Sequence, residues 1–230
     1  MTKNIDTAEV EKFADLAQRW WDPKGEFKPL HIINPLRADF IASKLELDGL
    51  EILDVGCGGG LLCEPLSKLG AEVTGIDASS KNIEIAKLHS KTMKQKIKYI
   101  CCSPENLNIK NKFDVILNME VIEHVANVNL FIKSCAKLIK KDGVMFVATI
   151  NKNLKSFLFG IVGAEYILRW LPIGTHEWDR FLTPQDLNNI MINNKFNHDE
   201  IIGVKFNLFT NTWDVSNDTS VNYISTFLKN

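Results

Sequence analysis

Glu51-Ile52-Leu53-Asp54-Val55-Gly56-Cys57-Gly58-Gly59-Gly60 sets the fold expected for this chain. A short apolar run enters a glycine-dense turn, and a helical pattern follows near residues 60–69. A strand that feeds a helix through such a turn is the first unit of a doubly wound sheet, and the turn is where these sheets bind nucleotides. Glycine there permits positive φ and leaves open the space a Cβ would occupy, so a ligand can approach the backbone.

The spacing narrows the ligand. A dinucleotide fingerprint requires a third glycine three residues after Gly58, and that position is Leu61. Asp54, just before the first glycine, would place a negative charge where a pyrophosphate must lie, whereas the same carboxylate suits a cation. S-adenosylmethionine, with its sulfonium and amino groups, meets that requirement. Asp54 through Gly60 match the D-x-G-x-G-x-G pattern of Rossmann-like methyltransferases, and Gly56 and Gly58 are the glycines expected to face the cofactor. Asp77 ends the next strand-like run roughly 20 residues on, the offset at which a carboxylate meets ribose hydroxyls. Taken singly, Asp54 and Asp77 could each be helix caps; together they indicate a cofactor site.

Outward from the loop, EILDV, EVTGID, IKYICC, FDVILN and GVMFVATI read as buried parallel strands, with helices near 60–69, 79–93 and 127–140 between them. The expected fold is therefore α/β: a Rossmann-like, mostly parallel doubly wound sheet with its ligands at the strands' carboxyl ends. Thr183-Pro184 opens a further helix, and runs near 199–209 and 219–228 are expected to close the sheet as antiparallel edge strands. On the amino-terminal side, residues 7–20 have the spacing of an amphipathic helix. WWDPKGEFKPLHIINPLR is expected to wrap across a surface before residues 35–46 turn helical, so that residues 1–46 form a helical lid on a single domain spanning 1–230.

With 27 Lys plus Arg against 28 Asp plus Glu, the net charge of −1 gives no field that would draw nucleic acid to the chain as a whole. The first residues carry no apolar run behind a basic start, so a cytoplasmic location is expected. The five cysteines, an odd number, fit reduced thiols better than a disulfide framework, and their spacing matches no zinc knuckle.

After the fourth strand comes Met119-Glu120-Val121-Ile122-Glu123-His124-Val125. If helical, the i, i+3, i+4 spacing of Glu120, Glu123 and His124 would set two carboxylates and an imidazole on one face, a set able to hold Mg2+ or another divalent cation. A catechol could displace the cation's waters, and either the cation or His124 as general base would supply the phenolate, because a phenol ordinarily loses its proton near pKa ~10. Glu123 and His124 are the catalytic candidates. The competing reading is an acidic helix start with a packing histidine.

Taken together, EFKPLHIINPLR, LDVGCGGG, MEVIEHV, GAEYILRWLPIGTH and the late NTW and VNY resemble the ubiquinone-biosynthesis O-methyltransferase family over roughly residues 5–225. The resemblance implies methylation of polyprenylated phenols, first a 2-polyprenyl-6-hydroxyphenol and later a 3-demethylubiquinol. It implies cofactor contacts at Arg37, Gly56, Asp77 and Met119, and metal contacts at Glu120, Glu123 and His124. Arg37 would hold the cofactor carboxylate by charge and fork geometry. Other enzymes of the pathway would be natural partners. Residues 151–182 form an apolar insertion, too short and too charged to span a bilayer; segment 155–171, flanked by Lys152, Lys155 and Arg169, would suit a peripheral position on the inner membrane face where a polyprenyl tail dissolves. Rival readings are a methyltransferase of another small phenol and a non-catalytic cofactor-binding subunit.

Overall fold

The computed structural model describes residues 20–25, 27–156, 178–207, 210 and 212–230. The helix expected over 7–20 lies outside these residues apart from Trp20, as does most of the insertion at 151–182.

An eight-stranded sheet runs in the order β3-β2-β1-β4-β5-β8-β6-β7. Its parallel half comprises β1 (Glu51–Val55), β2 (Glu72–Asp77), β3 (Lys98–Cys101), β4 (Phe113–Met119) and β5 (Ile139–Ile150). The antiparallel half comprises β6 (Phe196–Asn207), β7 (Thr212–Ser216) and β8 (Asn222–Lys229). Helices α1 (Lys28–Lys44), α2 (Cys63–Lys68), α3 (Ser80–Thr92), α4 (Val128–Leu138) and α5 (Pro184–Asn193) cover the two faces. The fold is the expected Rossmann-like one.

Alternation along the strands builds the interior. Ile52, Leu117 and Phe146 enter one core cluster, with Ile41 of α1 and Leu66 of α2. Their neighbours Leu53, Ile116 and Met145 point the other way into a second cluster, with Phe131 of α4 and Leu187 of α5. Strands buried on both faces need near-continuous apolar sequence, which is why these runs stand out. Side-chain caps set the helix starts: Ser79 accepts from the Asn82 N–H, Asn127 from Leu130 and Thr183 from Asp186.

Two elements differ from expectation. Helix α1 begins at Lys28 rather than near residue 35, with Pro29 in its first turn, where no N–H is needed, and Pro35 inside it. An interior proline costs about 3 kcal/mol. Burial of Ile33, Ala38, Phe40 and Ile41 along one side of the helix offsets that cost. The tail holds three strands instead of two, because β7 is a largely exposed edge strand whose TWDVS sequence carries little apolar signal.

Parallel pairing aligns the carboxyl ends of four strands. Val55 lies opposite both Ile76 and Asn118, and Met119 lies opposite Ala148. The glycine loop, Asp77, Glu120 and Thr149 therefore meet at one edge of the sheet.

The β6 backbone passes close under the 217–221 loop. A Cβ added at Gly203 would stand 1.9 Å from the Asp218 carbonyl oxygen, backbone against backbone. Gly203→Ala is expected to destabilise the fold by about 2 kcal/mol. A thermal melt should then show a midpoint lowered by roughly 4–8 °C.

Candidate active site

The glycine loop takes the backbone conformations that glycine was expected to supply, with φ of +74° at Gly56, +54° at Gly58 and +87° at Gly60. Gly56 and Cys57 donate their N–H groups to the Ile76 carbonyl at 2.8 and 3.0 Å, which ties the loop to β2. The space beside Gly56 is filled by protein: a Cβ there would lie 2.4 Å from Val121 Cγ2.

Asp77 closes the loop from the side. Its Oδ2 accepts from the Gly58 N–H at 3.0 Å, and its Oδ1 accepts from the Ser79 N–H at 2.8 Å and from Asn82 Nδ2 at 3.2 Å. Burial raises its pKa, and these hydrogen bonds oppose the rise. Asp54 lies deeper, 3% exposed, with Cys63 Sγ donating to its Oδ2 at 3.1 Å. Burial lifts its pKa to about 7, against the lowering influence of Cys63 and of the Arg37 charge, while Asp77 adds to the rise. A cation beside Asp54 would restore its ionised form.

Arg37 is buried on α1. Its Nη2 stands 2.5 Å from Glu120 Oε1 and its Nη1 donates to Asn34 Oδ1 at 3.3 Å, while Nε has no hydrogen-bond partner. Glu120 turns the chain sharply at the end of β4, with a φ of +57° and its N–H donated to Ala148 O at 3.0 Å. A non-glycine residue held in that region stores of order 1–3 kcal/mol, and such residues gather at functional sites. Met119, one residue earlier, is half-buried and packs against the core.

Beyond Glu120 the expected α-helical turn is absent. Ile122–His124 form a single 3-10 turn, so the i, i+3, i+4 spacing does not stack three side chains on one face. Glu123 is buried; its Oε2 accepts from Thr149 Oγ1 at 2.9 Å and its Oε1 has no partner. Burial first, and the Glu120 charge next, hold its pKa well above the usual carboxylate range. His124 is half-buried in the same turn. Among the described residues no group of three or more His, Cys, Asp or Glu is placed to hold a metal ion. The three-ligand set of Glu120, Glu123 and His124 is therefore not assembled, and the 3-10 geometry is the reason.

Several participants have no local signal in the sequence. Thr149 reaches Glu123 only because β5 pairs with β4. Cys63 reaches Asp54 from the first turn of α2, and Asn82 reaches Asp77 from α3. Trp20 lies over the loop at Gly58 and Gly59. His31 Nε2 lies 2.7 Å from the Trp20 carbonyl oxygen, a contact that ties α1 to the chain before it.

Residues 53–147 match the methyltransferase domain family. The whole chain is similar to the ubiquinone biosynthesis O-methyltransferase of Pelagibacter ubique, with 53% identity over 238 residues covering 99% of each protein. It is 48% identical to the protein of the same name from Bradyrhizobium diazoefficiens over 232 residues, 96% of this chain and 92% of that one. Among solved structures it is similar to the magnesium protoporphyrin IX methyltransferase of Synechocystis with bound SAH, at a TM-score of 0.71 and 18% identity, covering 97% of this chain and 99% of that one. That likeness carries the fold. The sequence identity, spread over nearly the full length and joined to the glycine loop and carboxyl cluster described above, carries the family: the chain belongs to the ubiquinone biosynthesis O-methyltransferases, which transfer a methyl group from S-adenosylmethionine to oxygen.

Proposed function

We propose that the chain methylates ring hydroxyls of polyprenylated phenols and catechols, using the cluster at the carboxyl ends of β1, β2 and β4 as its site. The supporting observation is buried polar chemistry left incomplete: Arg37 Nε and Glu123 Oε1 lack partners. Buried polar groups in folded proteins mostly have a hydrogen-bond partner, so a ligand that engaged these two would recover the cost of burying them unpaired.

In this reading Asp54 faces the cationic end of S-adenosylmethionine, and Arg37 takes its carboxylate through the free Nε. Asp77 accepts from the ribose hydroxyls. Gly56 and Gly58 shape the loop beneath the cofactor, and Met119 supplies an apolar, polarisable wall. His124 is the base that removes the phenolic proton, while Thr149 orients Glu123 beside the acceptor oxygen.

Glu120 and Glu123 fit a divalent cation in one respect: the buried Glu123 Oε1 has no partner. Mg2+ commonly takes one or two protein carboxylates and keeps several waters, so this pair replaces the three-ligand set as the proposed cation site. A bound cation would supply charge stabilisation for the phenolate.

The insertion at 155–171 is proposed to meet the membrane surface, where a polyprenyl tail is dissolved. It falls almost wholly outside the described residues. One of its flanking cations is already engaged, since Lys155 Nζ pairs with Asp218 at 2.7 Å. Membrane contact would therefore rest mainly on apolar side chains. No helix among the described residues is long and apolar enough to cross a membrane.

Purified protein with labelled S-adenosylmethionine and a short-chain prenylated catechol should transfer label, and Glu123→Gln should reduce kcat/KM by about 10²-fold. EDTA should suppress transfer and Mg2+ restore it; indifference to EDTA would remove the cation and leave His124 as the base. No transfer to any prenylated catechol by protein that binds cofactor would overturn the substrate. Deletion of 155–171 should abolish co-sedimentation with liposomes while the fold persists, and unchanged sedimentation would contradict the membrane reading.

A further inference from the structure

We propose that Trp20, Trp21 and Phe27 form a strap that closes the cofactor site, and that His89, held by Glu64, is the positioning residue that latches it. This rests on the reading of the glycine loop as the cofactor loop.

Trp20 covers the loop directly. A Cβ on Gly58 would lie 2.5 Å from Trp20 Cη2, and one on Gly59 would lie 2.7 Å from Trp20 Cγ, so the indole rests on bare backbone that side chains would push away. Its ring stacks on Phe27, with centroids 3.9 Å apart and planes within 12°. Its Nε1 donates to Asn82 Oδ1 at 3.3 Å, and Asn82 Nδ2 in turn donates to Asp77 Oδ1 at 3.2 Å. One side chain thus touches the glycine loop and is linked through Asn82 to the proposed ribose carboxylate.

Trp21 fastens the strap. Its ring stacks flat on His89 of α3, centroids 3.4 Å apart at an interplanar angle of 4°, and its Nε1 donates to the Gly59 carbonyl at 2.9 Å. Glu64 of α2 fixes the His89 ring through a 2.6 Å contact from Oε1 to Nδ1, and its Oε2 accepts from Gln95 Nε2 at 3.3 Å. Glu64 is only 2% exposed. A carboxylate is rarely buried so fully without a specific partner, and here the partner is the imidazole that presents its face to Trp21.

The strap belongs to no strand, and its side chains reach the loop and α3, with α2 joined to it through the Glu64–His89 contact. Those three elements surround the proposed cofactor position. Loosening the latch therefore acts on cofactor retention and leaves the acceptor side, at Glu120 to His124, as it was.

The test compares His89→Ala, Trp21→Phe and Asp77→Asn with the unmodified chain, measuring the Kd for S-adenosylhomocysteine, steady-state kinetics and thermal unfolding. His89→Ala should raise both the Kd and the KM for S-adenosylmethionine by about tenfold, with kcat within about twofold. His89→Phe, which keeps a ring for Trp21 to stack on, should recover most of the affinity. Unchanged Kd and KM in folded His89→Ala would overturn the proposal, as would a loss confined to kcat. If His89→Ala melts early, Trp21→Phe, which keeps an aromatic ring but loses the bond to Gly59, must show the same rise in KM at constant kcat, or the proposal fails. Asp77→Asn separates the two levels: weakened binding there beside an unaffected His89→Ala rejects the strap alone, and no effect in either rejects the cofactor loop itself.

Discussion

Buried negative charge at the carboxyl ends of the parallel strands is the constraint around which this molecule is arranged. Asp54 is the penultimate residue of β1 and Asp77 the last of β2, Glu120 and Glu123 follow β4, and Arg37 is the cation that α1 places beside Glu120. An unpaired carboxylate removed from water is costly, and such groups shift their pKa toward the neutral form. Asp54 rises to about 7, and Asp77 and Glu123 rise as well. The strand order makes the crowding unavoidable, since β2, β1 and β4 are neighbours. In the proposed reading, that crowding is what a positively charged ligand would relieve.

Most of the sheet was legible because four of its parallel strands, β1, β2, β4 and β5, are largely buried and so read as apolar runs with punctuation between them. The glycine loop was legible for a different reason: its residue types are dictated by backbone conformation. Where the expectations failed, packing had overridden a local rule. Pro35 lies inside a helix because that helix has a core face to bury, and β7 carries little apolar signal because an edge strand has little core to face. The MEVIEHV segment shows the limit of spacing arguments. Its spacing is helical, but left-handed Glu120 and a 3-10 turn redirect the side chains.

Contacts distant in sequence were not legible at all. Thr149 with Glu123, Cys63 with Asp54 and Trp21 with His89 arise from topology, and each acts on a residue or loop that the sequence had already singled out. Family resemblance pointed to the residues proposed to touch ligands, while the groups that contact those residues are apparent only in the folded chain.

The two halves of the site differ in completeness. Both Asp77 oxygens are hydrogen-bonded, whereas Glu123 Oε1 and Arg37 Nε are not. Asp54 is the residue on which the charge argument can be tested most directly, because Cys63, Arg37 and Asp77 face it and its free-state pKa lies near neutrality. If a cationic cofactor completes the site, Asp54 must ionise as the cofactor binds, so affinity should rise with pH up to about 7 and a proton should leave. Calorimetric titration of S-adenosylmethionine at pH ~6, in buffers of differing ionisation enthalpy, measures that proton directly. Release should approach one proton per site and be lost in Asp54→Asn; binding without proton release, or release unaltered by that substitution, would mean that Asp54 does not meet the cofactor's charge.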